Sequence, residues 1–449
     1  MGEEDSPRTK SSDEATEAES EPEGSVFAPV FARYRRNIDA IREFFARLNP
    51  VVTDLETGMQ EELTTRLDRW SSDFRKHARP EDEKELSELV GWLRGAAEGK
   101  PPSSGIQAKS GPAARLFVNL MREVERSVPF GAHRELLNCS ILISLVGYFE
   151  LLVADLVHAF YRLVPEEAAN DDKALSVNEL RTFGSIDEAM DYVVSRRVDQ
   201  LLRGTLDDWY KFFDSRLKID LKGIVPEWAR FNEIIQRRHL IVHAGGMVNR
   251  RYLANVDWER VAVPDSRPPL GTQLSVDDSY LDRALDIFEI AGLLVCQSVW
   301  QKLAPDEAPG RLDSIAGLVD VVYRCVVGSH WYVAEHLAAW GLEDKAAEED
   351  ALLIFKFNRW LSIKRQGRWE EIATELESFD CSAKHPRFVV ARASLLERAD
   401  EFFETLPTAG LSVEALKEWP ILDEVREDPR FQDAVLKAER NSAAANDAA

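Results

Sequence analysis

Residues 228–251, WARFNEIIQRRHLIVHAGGMVNRR, hold five arginines (Arg230, Arg237, Arg238, Arg250 and Arg251) against one acid, Glu233. This is a local +4 in a chain of net charge −23. Such a contrast is what an acidic protein needs if it handles a polyanion at one place. Arg238 and His243 stand five residues apart, with His239 between them. A guanidinium offers forked donors to a phosphate and to the charge that builds on it in a transition state. An imidazole titrates near neutrality and can take or give a proton. Arg237, Arg250 and Arg251 are candidate contacts to the backbone of the polyanion, although Arg250 and Arg251 fit a solvated turn equally well. Glu233 has the i, i+4 spacing to pair with Arg237.

These side chains need a helix to position them. At about 100° per residue, Trp228, Phe231, Ile234, Ile235, Ile241 and Val242 form one apolar arc of roughly 140°. Arg238 falls in its middle, His239 and His243 lie at one border, and Arg237 lies near the other. A charge on an apolar face must find an anion, either a carboxylate of the protein or a ligand in a cleft. Glu150, on an apolar helix upstream, is the candidate carboxylate. His243 sits in the last turn, where the helix dipole favours imidazolium and the neighbouring arginines disfavour it. Pro226 opens this helix and Gly245-Gly246 closes it. The partner is a long helix over about 132–164, with Leu145, Tyr148, Phe149, Leu152 and Leu156 on one inward face. Its most apolar part, 141–160, carries Glu150, Asp155 and His158, and reads as a buried core helix rather than a membrane span. Capping boxes at Ser176…Glu179 and Ser185…Glu188 start two further helices. A last helix of this region follows Ser275-Val-Asp-Asp278 and runs to about residue 303.

The 449 residues are 45% hydrophobic and 30% charged, as in a globular protein with a proper core. The net negative surface as a whole repels nucleic acid and anionic membrane. Four cysteines (Cys139, Cys296, Cys325 and Cys381) form no CxxC pair, which argues against a disulfide scaffold or a thiolate zinc site and fits a reduced cytoplasmic compartment. The histidines show no metal-ligand spacing. Residues 1–25 form a disordered acidic tail with no signal-peptide pattern. Residues 26–98 form an N-terminal helical segment whose stripe includes Phe27, Val30, Phe31, Tyr34, Ile38, Ile41, Phe44, Phe45 and Leu48. A Pro/Gly/Ser linker spans 99–112. The domain with the basic helix covers 113–304 and begins with a helix over 113–128. Pro305 and Pro309 mark a second boundary. Helices of 12–20 residues then run over 305–439, ahead of a disordered small-residue tail at 440–449. Strand signals are scarce, and the fold class is all-α.

Arg238-His-Leu-Ile-Val-His243, the surrounding RRHLIVHAGG, the amphipathic helix over 136–163 and the downstream Val256…Tyr280-Leu-Asp segment resemble HEPN-domain ribonucleases of the Rx4–6H type, the bacterial group of toxins and antiphage effectors. The resemblance covers about residues 113–304. One departure is His239, where the family commonly has Asn or Asp. The resemblance implies an all-α HEPN-type helical bundle and a metal-independent endoribonuclease that needs no cofactor. In this chemistry the ribose 2′-OH attacks the adjacent phosphate and leaves a 2′,3′-cyclic phosphate. His243 would then be the general base or acid, Arg238 would stabilise the transition state, and His239 would orient or share the proton transfer. It also implies a homodimer with two such helices facing one cleft. By family analogy the 305–439 helices look like a TPR-type array, and the flanking regions would bind a protein trigger or regulator. The alternative from another class is a non-catalytic HEPN dimerisation or adaptor module, which needs neither Arg238 nor His243.

Overall fold

A computed structural model describes residues 25–76, 132–169, 175–261, 267–303 and 309–447, with isolated positions between 84 and 118. The 1–24 tail, the 99–112 linker and nearly all of the 113–128 helix expected from sequence lie outside the described residues. The protein is all-α. Among the described residues the only strand-like pairing is an isolated bridge between Met247 and Gln273.

Helix α1 spans Phe27–Arg75 and contains Pro50. Its stripe of Phe27, Phe31, Tyr34, Ile38, Ile41 and Phe45 is buried, whereas Phe44, expected in the same stripe, is 53% exposed. The stripe packs on α2 (Ala132–Leu163) and on the long helix Asp278–Leu303. The Tyr34 hydroxyl donates to the carbonyl of Phe288 at 2.6 Å, and the Phe27 and Phe31 rings each lie 6.2 Å from Trp300. The N-terminal helix is therefore built into the core of the rest, not set apart as a segment of its own.

Two capped helices follow α2. Helix α3 spans Ile186–Leu202, and the Ser185 hydroxyl accepts from the Glu188 amide at 3.1 Å as expected. The returning Glu188 carboxylate takes the Gly184 amide instead of that of Ser185. The Ser176–Glu179 box is complete but caps a single turn, Val177–Leu180. Helix α4, Leu206–Phe212, begins with a Thr205–Asp208 capping box that the sequence reading passed over.

Helix α5 spans Trp228–Ala244, α6 is the short Arg250–Asn255, and α7 is Asp278–Leu303. Phe149 of α2, Phe231 of α5 and Phe288 of α7 meet with ring centroids 4.7 to 5.5 Å apart. Edge-on and tilted aromatic contacts of this kind prefer such spacings, and they fix α5 against the other two helices.

The C-terminal part begins with α8 (Pro309–Val327), α9 (Trp331–Leu342) and α10 (Glu349–Arg365), followed by shorter helices. One contiguous apolar core runs from Phe27 to Phe431, so the described helices on both sides of Pro305 and Pro309 share it. Trp300 and Trp360 lie within that core. The last helix, Pro429–Asp447, continues through most of 440–449, where sequence reasoning expected a disordered tail. The run of alanines there favours helix.

Helices α2 and α7 are long and apolar enough to cross a membrane by length and composition. In α7 that stretch is 89% buried, whereas in α2 it is 44% buried. The expected core helix is thus core on one side only. Its other side carries Leu136, 67% exposed, and Leu151, 40% exposed, with half-buried Ile143 between them and half-buried Ala154 just beyond.

Candidate active site

Helix α5 starts two residues later than Pro226 suggested. Glu227 takes a left-handed conformation, φ 50°, and the helix begins at Trp228. Such a conformation is costly for a residue with a side chain and persists only where surroundings hold it. Here the Glu227 carboxylate accepts from Arg283 of α7 and from the Tyr332 hydroxyl of α9, the latter at 2.9 Å. The C-terminus ends as expected, with Gly245 at φ 57° and Gly246 at φ 81°. A side chain at Gly246 would collide with Gln273, whose amide donates to the Gly245 carbonyl at 2.7 Å.

A cleft of 820 Å³ opens along α5. Asn232, Gln236, His239 and His243 line it from one row of that helix, with spacings of four, three and four residues. Glu150 of α2, Arg203, Asp207, Arg238 and Arg251 complete its charged wall. An Arg238 terminal nitrogen donates to the Glu150 carboxylate at 3.1 Å, and the two side chains are 17% and 28% exposed. The expected carboxylate partner is therefore in place. The Nε–H of Arg238 is buried and has no acceptor among the described residues. Burial pushes the Glu150 carboxyl above its ordinary range, and Arg238 pulls part of the way back.

The His239 and His243 rings lie nearly parallel, 17° apart in tilt, with centroids 6.1 Å apart. Burial, and then the charges of Arg238, His243 and Arg251, hold His239 below the ordinary imidazole value. That favours a neutral His239. His243 is exposed in the last turn and faces the same cleft.

Arg237 does not belong to this surface. Its side chain is 8% exposed, and its Nε donates to Glu233 at 2.8 Å, the i, i+4 pair expected from spacing. Glu233 is wholly buried and also accepts from the hydroxyls of Tyr252 at 2.5 Å and Tyr280 at 2.8 Å. The Arg237 guanidinium stacks on the Tyr280 ring and donates to the Ser275 carbonyl. Arg237 is thus a structural cation under α5, unavailable to a polyanion. Arg230 is buried on the same side, while Val242, assigned to the apolar arc, is 46% exposed. The inward face of α5 is rotated away from the histidines relative to the arc. Arg238 sits at the seam between core and cleft instead of mid-face. Of the other two basic candidates, Arg251 lines the cleft, and Arg250 is exposed outside it.

Sequence reasoning missed the amides. Asn255 of α6 donates to Gln236 at 3.2 Å, and Asn232 donates to the Asn255 carbonyl at 2.7 Å. The polar row at 232, 236, 239 and 243 is a helical periodicity that could have been read directly. Asn255 could not, since it reaches α5 through the fold of the 245–255 turn. Comparison with protein-family models, curated proteins and solved structures finds no match. The chemistry of the cleft therefore rests on its own geometry. Among the described residues no three His, Cys, Asp or Glu side chains gather as metal ligands. The arrangement offers forked cationic donors, two exposed imidazoles and several amide donors and acceptors to one anionic ligand.

Proposed function

We propose that the protein is a metal-independent endoribonuclease of the HEPN type. One observation carries this: Arg238, His239, His243 and Arg251 open onto a single cleft, an arrangement a protein-binding adaptor has no use for. His243 takes the proton of the ribose 2′-OH as that oxygen attacks the adjacent phosphorus. The bond from phosphorus to the 5′-oxygen breaks, that oxygen takes a proton from water, and a 2′,3′-cyclic phosphate remains. Arg238, oriented by Glu150, sets its positive charge against the charge that gathers on the phosphoryl oxygens. His239 orients the phosphate as a neutral donor, and Arg251 holds the strand. The protein acts in the cytoplasm as a regulated toxin or antiphage effector, with the flanking helices receiving a protein trigger.

The active form is a homodimer through the side of α2 that the described residues leave uncovered. Ser140 and Ser144 turn their hydroxyls back to carbonyls of the same helix, and Gly147 has no side chain, so a second helix can approach closely there. The same apolar side is the one observation that favours an adaptor. Incubating RNA with wild-type protein and with His243→Ala, in excess EDTA, tests the assignment. The wild type should cut and leave cyclic phosphate ends, and the variant should be slower by ~10²–10⁴-fold. Equal cleavage by both proteins would hand the assignment to the adaptor.

A further inference from the structure

A second opening, of 560 Å³, lies between the start of α1 and the last turns of α2. Arg33 and Arg36 enter it from α1, and His158 and Arg162 enter it from α2. Asp155 is the one acid lining it among the described residues, and it is engaged by Arg33. Arg36 and Arg162 have no carboxylate partner among the described residues, in a chain where acids outnumber bases 79 to 56. The helix dipole accounts for a cation such as Arg162 in the last turn of α2. It does not account for Arg36, which comes from a different helix into the same space. Arg36 and Arg162 are both solvent-exposed on the wall of this opening, and cations from two helices facing one space favour an anion there. Val26, Pro29 and Val30 supply an apolar side to the same opening.

We propose that this groove is a binding site for a phosphate-bearing ligand. Its phosphate is held by the forks of Arg36 and Arg162, with Arg33 and His158 beside them, and its organic part lies on Val26, Pro29 and Val30. Planar forked donors match phosphate oxygens pairwise. The volume falls within the ordinary range of small-molecule sites, about 300–1,000 Å³. The ligand is either a free nucleotide or a phosphodiester of an RNA strand. His158 lies eight residues beyond Glu150 on α2, or about 12 Å along the axis, so a strand in the main cleft could continue to it. The nucleotide case is independent of the proposed ribonuclease activity.

Calorimetric titration of the full chain tests this with three probes: ATP, inorganic pyrophosphate and a 2′-O-methyl oligouridylate, which cannot be cleaved by 2′-OH attack. Saturable binding is expected for at least one. Arg36→Ala/Arg162→Ala should weaken it by about tenfold or more, whereas His243→Ala should leave the ATP affinity unchanged. Arg36→Gln/Arg162→Gln serves as the second pair, and thermal melts establish that both double variants are folded. Binding of ATP identifies a nucleotide site, and binding of the oligonucleotide alone identifies a strand contact. The proposal is overturned if no probe saturates, or if folded double variants bind as well as wild type. Loss of RNA cleavage in His243→Ala bears on the main cleft alone and leaves this result untouched.

Discussion

At the scale of single residues, Arg238 and His243 differ in what they hold up. His243 is exposed in the last turn, so His243→Ala should abolish proton transfer and leave the melting temperature unchanged. Arg238→Ala removes the partner of Glu150, and both side chains are partly exposed. The stability cost should fall between a surface pair and a buried one, at about 1–2 kcal/mol. Melts beside cleavage rates measure both, and an unchanged melt for Arg238→Ala would mean the pair contributes nothing to the fold. His239 gives a pH dependence. Its folded value is depressed below the ordinary 6.5, so below that pH the unfolded chain takes up a proton that the folded chain resists. Stability from this residue is present above pH 6.5 and is lost as pH falls through the folded value. His239→Asn should flatten the melting temperature over that acid range, and a profile parallel to wild type would exclude His239 as the source. The pair at five-residue spacing and the Glu150 partner were legible in the sequence. The fate of Arg237 was not. A wheel scored on apolar residues cannot see a charge buried by tyrosines 19 and 47 positions from its carboxylate.

At the scale of elements, α5 is held from below by a polar cluster and from its N-terminus by a clamp. Glu233→Ala would leave Arg237 buried without its carboxylate, at a cost of roughly 3–5 kcal/mol. Tyr280→Phe would remove one charge-assisted hydrogen bond, at about 1.5–3 kcal/mol. Denaturant titrations of the two variants should therefore rank Glu233→Ala the more damaging, and the reverse order would show that Tyr280 matters chiefly through its ring. Helix periods, glycine ends and one capping box were readable because each is local. The left-handed Glu227 and the start of α5 depend on Arg283 and Tyr332, distant side chains that no local pattern announces.

At the scale of the whole molecule, the all-α class was legible, since apolar spacing is helical almost throughout. The division into separate regions was less so, because proline and glycine mark turns between helices whether or not a core is shared across them. The bare side of α2 predicts association. Light scattering of the full chain should give twice the chain mass, and Leu136→Glu/Leu151→Glu should give the monomer with an unchanged melt. A wild-type monomer at tens of micromolar that still cuts RNA would remove the dimer from the mechanism.

The bond from Tyr332 to Glu227 bears on how this protein can be taken apart. Cutting the gene between the codons for Pro305 and Pro309 looks natural, since two prolines flank the join. A product ending there lacks the hydroxyl that steadies the first residue before α5. A product that also begins after residue 112 lacks Phe27 and Phe31 and bares Trp300. Deletion mapping would then report that distant regions are needed for cleavage. What it would have recorded is an unfolded half of the chain, and point substitutions in the intact chain are the sounder way to assign roles to its parts.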